Sequence, residues 1–282
     1  MQDAYAHCEA VVRVADKDRY LAALFAPAGL RRHLHSLHAF NSEIARVRDA
    51  ARDALPGEIR LQWWRDALAG QARGESSANP IAAALLDTAA QCGLPVEPLL
   101  GLIDAHGFDL YDEPMATLTD LDAYGRHTEA ALMTLGARIL AGGAAPDAPA
   151  LATVPAGIAC AVAHRLRSFP MDVSRRQMFV PLELLERHGV SREDVEARRD
   201  ARGLQAALAD LRAHARAAYG QFLGAAAGIP DRCAPAFLAA AVVPTLLARL
   251  GRAAGDSFMP VEVPQWRRQW AIWRAARRWP RV

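Results

Sequence analysis

The stretch from Leu37 to Asp49 carries the clearest chemical pattern in the chain. Apolar residues at positions 37, 40, 44 and 47 recur at the three- and four-residue spacing that aligns side chains on one helix face. Positions 45 and 49 lie one helical turn apart, so two acids there would project side by side and could share a magnesium ion. The residues present are Ala45 and Asp49, so one carboxylate of that pair is missing.

Two stretches resemble the aspartate-rich helices of the squalene/phytoene synthases. Ala39-Phe40 and the helix after it are similar to the first, where Ala-Phe-Cys-Arg leads into Asp-x-x-x-Asp. Residues 157–168 and the Val-Pro-Leu-Glu-Leu of 180–184 are similar to the second such helix and the segment after it. In that register the second pair of acids falls at Ser168 and Asp172, so again the first acid is absent. Further matches at 18–20, at 58–65 and at Tyr219 extend the resemblance over most of the chain.

The resemblance implies an all-α fold, an isoprenoid-synthase-like helical bundle around a central cavity. We expect a single domain over residues 1–282, and no convincing alternating strand pattern contradicts it. The hydrophobic periodicity predicts one helix over 30–54, a helix over 155–169 and an apolar helix over 232–250 that Pro244 divides. Pro170 is expected to disturb the helix that presents Asp172.

The resemblance also implies what a working site needs: magnesium at both acid pairs, basic groups for diphosphate and a dry apolar pocket. Here Ala45 and Ser168 each remove a carboxylate, and Arg46 places a positive charge beside the expected metal position. Residues 129–133 replace the Ala-Gly-Thr-Val-Gly of the family pattern with larger side chains. The polar residues that survive at the site are Glu43, Asp49, Arg167, Asp172 and Arg175. The residues expected to line the cavity are Phe40, Tyr124, Met133 and Tyr219.

Two interpretations of the surviving polar residues stay open. They form a buried ion-pair network between the two motif helices, or they keep a residual metal or diphosphate site. In the second case Asp49 and Asp172 would be the metal ligands.

Three further segments, 40–46, 57–65 and 108–111, resemble the family branch that includes a mitochondrial complex I assembly factor and its bacterial relatives. That branch keeps the fold and has lost acids from the metal motifs. The resemblance implies a non-catalytic assembly or scaffolding factor for a respiratory complex, with a protein partner and no cofactor. The alternatives are a magnesium-dependent prenyltransferase that condenses two prenyl diphosphates, and a protein that binds an isoprenoid or lipid in the cavity.

Composition narrows the function classes. A formal net charge of +2 and a hydrophobic fraction of 52% do not suit a protein that coats nucleic acid. The four cysteines form no Cys-x-x-Cys pair, so neither a zinc site nor a disulfide framework is expected. Acids at positions 3 and 9 argue against a signal peptide. We expect a cytoplasmic protein, peripheral to the inner membrane if its tail binds there.

The tail from 264 to 282 predicts a basic, tryptophan-rich helix with no acid after Glu262. Three tryptophans share one face and three arginines lie to one side of it: Trp266, Trp270, Trp273, Arg267, Arg274 and Arg278. Such a helix suits a bilayer interface with anionic lipid, and the same residue types anchor protein interfaces. Alternatively, the tryptophans dock on the protein's own bundle and the arginines are solvated.

Overall fold

The computed structural model describes residues 1–50, 54–71, 78–143, 150–199, 202–253 and 256–280, with the backbone alone described at 49 and 50. The described residues contain helices and no strand, which confirms the all-α prediction. The α-helices, in chain order, are α1 (Gln2–Ala15), α2 (Lys17–Ala23), α3 (Ala28–Ala45), α4 (Val47–Ala50), α5 (Ala54–Leu68), α6 (Pro80–Cys92), α7 (Val96–Gly107), α8 (Leu118–Gly125), α9 (Ala131–Leu140), α10 (Ala150–Ser174), α11 (Leu182–Arg187), α12 (Arg192–Glu196), α13 (Arg202–Ala225), α14 (Val243–Arg252) and α15 (Gln265–Arg278). A π-helical segment, Arg126–Ala130, joins α8 to α9.

The centre of the bundle is α10, which packs along α13 and against the π-helical segment. Every residue from Pro155 to Ala163 is buried, and most of them are small. Small side chains let neighbouring backbones approach closely. At Gly157 the approach is so close that a Cβ atom would lie 2.5 Å from the Ala130 backbone nitrogen.

The prediction of one continuous helix over 30–54 is wrong. Helix α3 ends at Ala45, Arg46 adopts φ −98° and ψ 5°, and the short α4 then starts at Val47. The break lets α4 pack against α5, where the absent side chain of Gly57 leaves room for Leu110 and for the buried Val47. Ala45 and Asp49 therefore lie on two helices, and residues 51–53 of the predicted helix lie outside the described residues.

The expected disturbance at Pro170 is also wrong, because α10 continues through it to Ser174. Proline removes one backbone donor, but Phe169 and Val173 are buried on either side of it, so packing holds the last turns in place. Asp172 is therefore presented by a regular helix.

The apolar stretch 232–250 is only partly α-helical. Two 3-10 segments, Asp231–Ala236 and Leu238–Val242, precede α14. Proline at 235 lacks a donor for a continuing helix, and Pro244 lies in the first turn of α14, where its missing N–H costs nothing. The predicted division at Pro244 thus marks the start of the α-helix.

The tail helix α15 docks on α2 and on the Leu238–Val242 segment. Ile272 and Ala275 are buried against Ala22, Leu238 and Val242. Beside this contact, the Arg268 guanidinium makes a bidentate ion pair with Asp18, at 2.6 and 2.9 Å.

Substituting Gly157 with alanine should lower the free energy of unfolding by about 2 kcal/mol or more, because the new methyl group overpacks the contact with Ala130. Gly220 on α13 is the matched control. It is exposed with no atom near its missing Cβ, so Gly220→Ala should raise the free energy of unfolding by about 0.5–1 kcal/mol. Urea denaturation of both variants measures the difference, and equal effects would contradict the close packing.

Candidate functional site

An open cavity of about 750 Å³ lies between α3 and α10, the two helices that carry the motif positions. Its wall also includes the start of α2 and the segment 260–264 that leads into α15. The lining residues from the motif helices are Asn41, Ser42, Ala45 and Arg46 at the end of α3, and Ala161, His164, Arg165 and Arg167 on α10. The central cavity implied by the resemblance is therefore present, and its lining mixes polar and apolar groups.

One side of the cavity holds a chain of ion pairs centred on Arg19. The Arg19 guanidinium donates to Asp16 at 2.6 Å and, with its other terminal nitrogen, to Glu129. His164 Nδ1 lies 3.2 Å from the second oxygen of Glu129. Asp16 is also the N-cap of α2 and accepts the backbone N–H of Arg19. Three segments far apart in sequence, the start of α2, the π-helical segment and α10, are thus joined by charge.

The charges around Arg19 favour the ionised forms of Glu129 and Asp16. Burial alone would raise the pKa of Glu129, but the Arg19 and His164 charges outweigh it and lower that pKa to about 2. Burial likewise opposes ionisation of Asp16, and Arg19 again lowers its pKa to about 2. Each carboxylate is therefore charged at neutral pH and compensated by a protein cation.

A second polar cluster surrounds the Arg165 guanidinium. One of its nitrogens donates to the Tyr124 hydroxyl at 2.5 Å, and the group stacks 3.8 Å from the centre of the Phe179 ring. Asp109 and Asp172 lie 3.7 and 3.9 Å from Arg165, so both carboxylates form ion pairs with the same cation. Tyr124 in turn donates to Asp109 at 3.1 Å.

Asp172, the surviving acid of the second motif, is held inside this cluster. Ser168, which stands in the place of the first acid, donates its hydroxyl hydrogen to Asp172 at 2.6 Å. Burial raises the pKa of Asp172, and Arg165 and Ser168 offset only part of that increase. The carboxylate is 7% exposed, so it is turned away from solvent.

The cavity also presents polar groups without protein partners. Lys17, Arg46 and Arg167 line it, are exposed, and make no ion pair with an acid among the described residues. Two buried lining atoms, His106 Nε2 and Asn41 Oδ1, have no hydrogen-bond partner. His106 Nδ1 lies 2.9 Å from Asp109. The three cations favour an anionic ligand, whereas Asn41 Oδ1 can only accept a hydrogen bond.

The described side chains of this cavity do not fit a pair of magnesium ions. Ala45 offers a methyl group, and Arg46 brings a positive charge to the rim. Asp172 is not among the lining residues and is shared between Ser168 and Arg165. Among the described residues no group of three or more His, Cys, Asp or Glu is arranged to hold a metal ion. The side chain of Asp49, the other predicted metal ligand, lies outside the described residues.

The structure separates the other residues that were predicted for the site. Glu43 pairs with Arg60 of α5 at 3.1 Å, while Arg175 is exposed past the end of α10. Neither lines the cavity, whereas Arg167 does. Asp172 pairs with Arg165 of its own helix. The ion-pair network between the two motif helices stays a prediction, because the side chain of Asp49 lies outside the described residues.

Of the four residues predicted to line the cavity, only Tyr124 does so. Phe40 packs in the core with its ring 5.0 Å from that of Trp64, Met133 is buried, and Tyr219 packs against Phe222. These three side chains contribute to the bundle's packing around the cavity.

The residues that sequence reasoning missed are those of the two ion-pair chains. Arg19 lies in the matched segment 18–20, but nothing nearby in sequence identifies its partner. Glu129 gave a usable signal, because the family pattern has a small residue there. A buried acid in that place requires a buried cation.

The comparisons with known proteins agree with this geometry. The family model described as squalene/phytoene synthase matches residues 12–274. The chain belongs to this family. A solved squalene synthase, HpnC from Alicyclobacillus acidocaldarius, superposes with a TM-score of 0.75 at 26% identity, covering 90% of this chain and 95% of that one.

Two groups of named relatives are similar to this chain. The complex I assembly factor 6 of Rattus norvegicus is 28% identical over 92% of this chain and 77% of its own length. The 15-cis-phytoene synthase of Synechocystis is 26% identical over 69% of this chain and 60% of its own length. The similarity to the assembly factor therefore extends over more of the chain, as the sequence resemblance predicted.

Replacing Arg19 with methionine should lower the free energy of unfolding by about 3–5 kcal/mol, because it leaves Asp16 and Glu129 charged and without their shared cation. The matched control is Arg199→Met. Arg199 pairs with Asp194 at the surface, where its side chain is 61% exposed, so its loss should cost under about 1 kcal/mol. Urea denaturation near neutral pH measures both, and a small effect at Arg19 would contradict a structural role for this ion pair.

Acid should destabilise the protein partly through Glu129. Its pKa is about 2 in the folded chain against an ordinary value of 4.5, so its contribution is complete above the ordinary value and is lost as pH falls toward about 2. In Glu129→Gln the free energy of unfolding should therefore fall less between about pH 5 and pH 3 than in the wild type. An identical decrease in both proteins would show that Glu129 is not ion-paired.

Proposed function

We propose that this member of the squalene/phytoene synthase family is a non-catalytic assembly or scaffolding factor for respiratory complex I. The observation that carries the proposal is the state of Asp172, the one described acid left from the two motifs. It accepts a hydrogen bond from Ser168 and forms an ion pair with Arg165. The carboxylate oxygens that a metal would need are therefore bound to protein groups.

The charge of the cavity supports the same conclusion. Prenyl transfer in this family uses magnesium to neutralise the leaving diphosphate. Of the four acids among the described lining residues, three pair with arginine: Asp16 and Glu129 with Arg19, and Asp18 with Arg268. Arg46 adds a further positive charge. Arg46 would repel a dication near the position of the first acid pair.

The relatives supply the partner class. The proteins of this family that are similar over most of the chain include complex I assembly factor 6 of rat and human. The proposal therefore includes a protein partner among the subunits or assembly intermediates of complex I, and a peripheral contact with the membrane that holds it. Among the described residues no helix has the length and hydropathy needed to cross a bilayer.

Deleting the gene in the source organism should lower the amount of assembled, membrane-bound complex I, measured by native gel and by NADH oxidation. Genes for Asp49→Asn and Asp172→Asn should restore the complex to within about two-fold of the wild-type gene, because no metal-dependent step is involved. As a matched control, the corresponding substitutions in a phytoene synthase should abolish that enzyme's product.

Two results would contradict the proposal. A folded Asn variant that fails to restore complex I would show that the carboxylates are needed for more than the fold. Magnesium-dependent release of diphosphate from farnesyl diphosphate by the purified protein would show that the prenyltransferase alternative is correct.

A second candidate function, binding of an isoprenoid or lipid with an anionic head, is favoured by the unpaired cations. Lys17, Arg46 and Arg167 line a cavity of about 750 Å³, a volume within the usual range for small-molecule sites. The unpartnered His106 Nε2 adds a polar group inside it. Protein cations would then hold the ligand's charge without a metal.

Calorimetric titration with a non-hydrolysable farnesyl diphosphate analogue tests this second function. Binding should occur without magnesium, and Arg46→Ala and Arg167→Ala should each weaken it about ten-fold, because each removes a charge-assisted contact. Arg187→Ala, at an exposed arginine of α11 outside the cavity, should leave the affinity unchanged. Binding that requires magnesium, or no binding at all, would contradict it.

A further inference from the structure

The outer face of α15 exposes three tryptophans. Trp266, Trp270 and Trp273 are 63%, 57% and 42% exposed, although tryptophan is ordinarily among the better buried residues. Their spacing of four and three residues places them on one face, and the rings of Trp270 and Trp273 stack with centroids 4.9 Å apart. The interpretation in which these tryptophans dock on the protein's own bundle is therefore wrong.

The opposite face of the same helix is already occupied. Ile272 and Ala275 pack against α2 and the Leu238–Val242 segment, and the Arg268–Asp18 ion pair fixes the helix beside them. The tryptophan face is thus a preformed surface on a docked helix, and binding there requires little ordering of the chain.

Positive charge surrounds this face without compensation. Arg267, Arg274, Arg277 and Arg278 have no acidic partner among the described residues, and the sequence has no acid from 263 to 282. Two of these guanidinium groups lie over tryptophan rings, Arg267 over Trp266 at 5.1 Å and Arg277 over Trp273 at 5.2 Å. Aromatic and cationic groups are therefore interleaved along the whole face.

We propose that this face of α15 binds the surface of a lipid bilayer that contains anionic lipids. The partner must offer an apolar layer for three indole rings and negative charge for the arginines beside them. The interface of an anionic bilayer has both properties, with tryptophan at the headgroup level and arginine beside the lipid phosphates. This inference does not depend on the assembly-factor function, since it rests on α15 alone.

Co-sedimentation of the whole protein with vesicles tests the proposal. The protein should bind vesicles of equimolar phosphatidylcholine and phosphatidylglycerol, with a blue shift of tryptophan emission, and should bind pure phosphatidylcholine far more weakly. Added salt should weaken the binding, because it screens the arginines. Arg274→Glu combined with Arg278→Glu should reduce binding at least about twenty-fold, since each arginine near an anionic surface contributes about five-fold.

Two variants separate the roles of charge and tryptophan. Arg187→Glu combined with Arg202→Glu changes the net charge equally on α11 and α13, away from α15, and should keep most of the binding. Replacing Trp266, Trp270 and Trp273 together with alanine should abolish both binding and blue shift. Because these side chains are exposed, circular dichroism should show the fold unchanged.

Three outcomes would overturn the proposal. These are equal binding to neutral and anionic vesicles, full binding by the triple alanine variant, and no vesicle binding by the wild type. The last outcome would leave the face as a site for a protein partner.

Discussion

The cavity of this bundle depends on the neutralisation of buried charge by arginine. Arg19 joins Asp16 and Glu129, and Arg165 joins Asp109 and Asp172, so that each of two guanidinium groups is shared by two carboxylates near the cavity. An isolated carboxylate in such a place would cost several kcal/mol. The same two arginines connect α2, α8, α10 and the π-helical segment, so the charge balance and the arrangement of the helices cannot be altered separately.

These ion pairs stabilise the family fold in a chain that lacks one acid of each motif pair. Removing one acid from each pair lowers the repulsion that a metal would otherwise relieve, and Ser168 then donates to the remaining Asp172. Arg46 adds a positive charge at the rim of the cavity. The bundle retains a cavity of about 750 Å³, and the cations in its lining favour an anionic ligand.

The fold could be predicted from the sequence because the matching segments are spread along the chain and each lies on a helix with clear periodicity. The break at Arg46 and the 3-10 segments before α14 could not be predicted. The local sequence patterns there are as helical as those of the neighbouring helices, and tertiary packing determines the backbone conformation. The site was predicted at its motif positions, Ala45, Ser168 and Asp172. The polar residues around the motif positions were not predicted. Arg19, Glu129 and Asp109 lie far from those positions in sequence, and no local spacing links them. The outward orientation of the tryptophans also needed the structure, since α15 could have docked by either face.

The thermal unfolding midpoint at increasing magnesium concentration tests the central claim most directly, because a ligand that binds only the folded state raises that midpoint. If protein cations have replaced the metal, millimolar magnesium should leave the midpoint unchanged in the wild type and in Asp172→Asn alike. A saturable increase in the wild type that disappears in Asp172→Asn would show that Asp172 still binds a metal ion and would contradict the account.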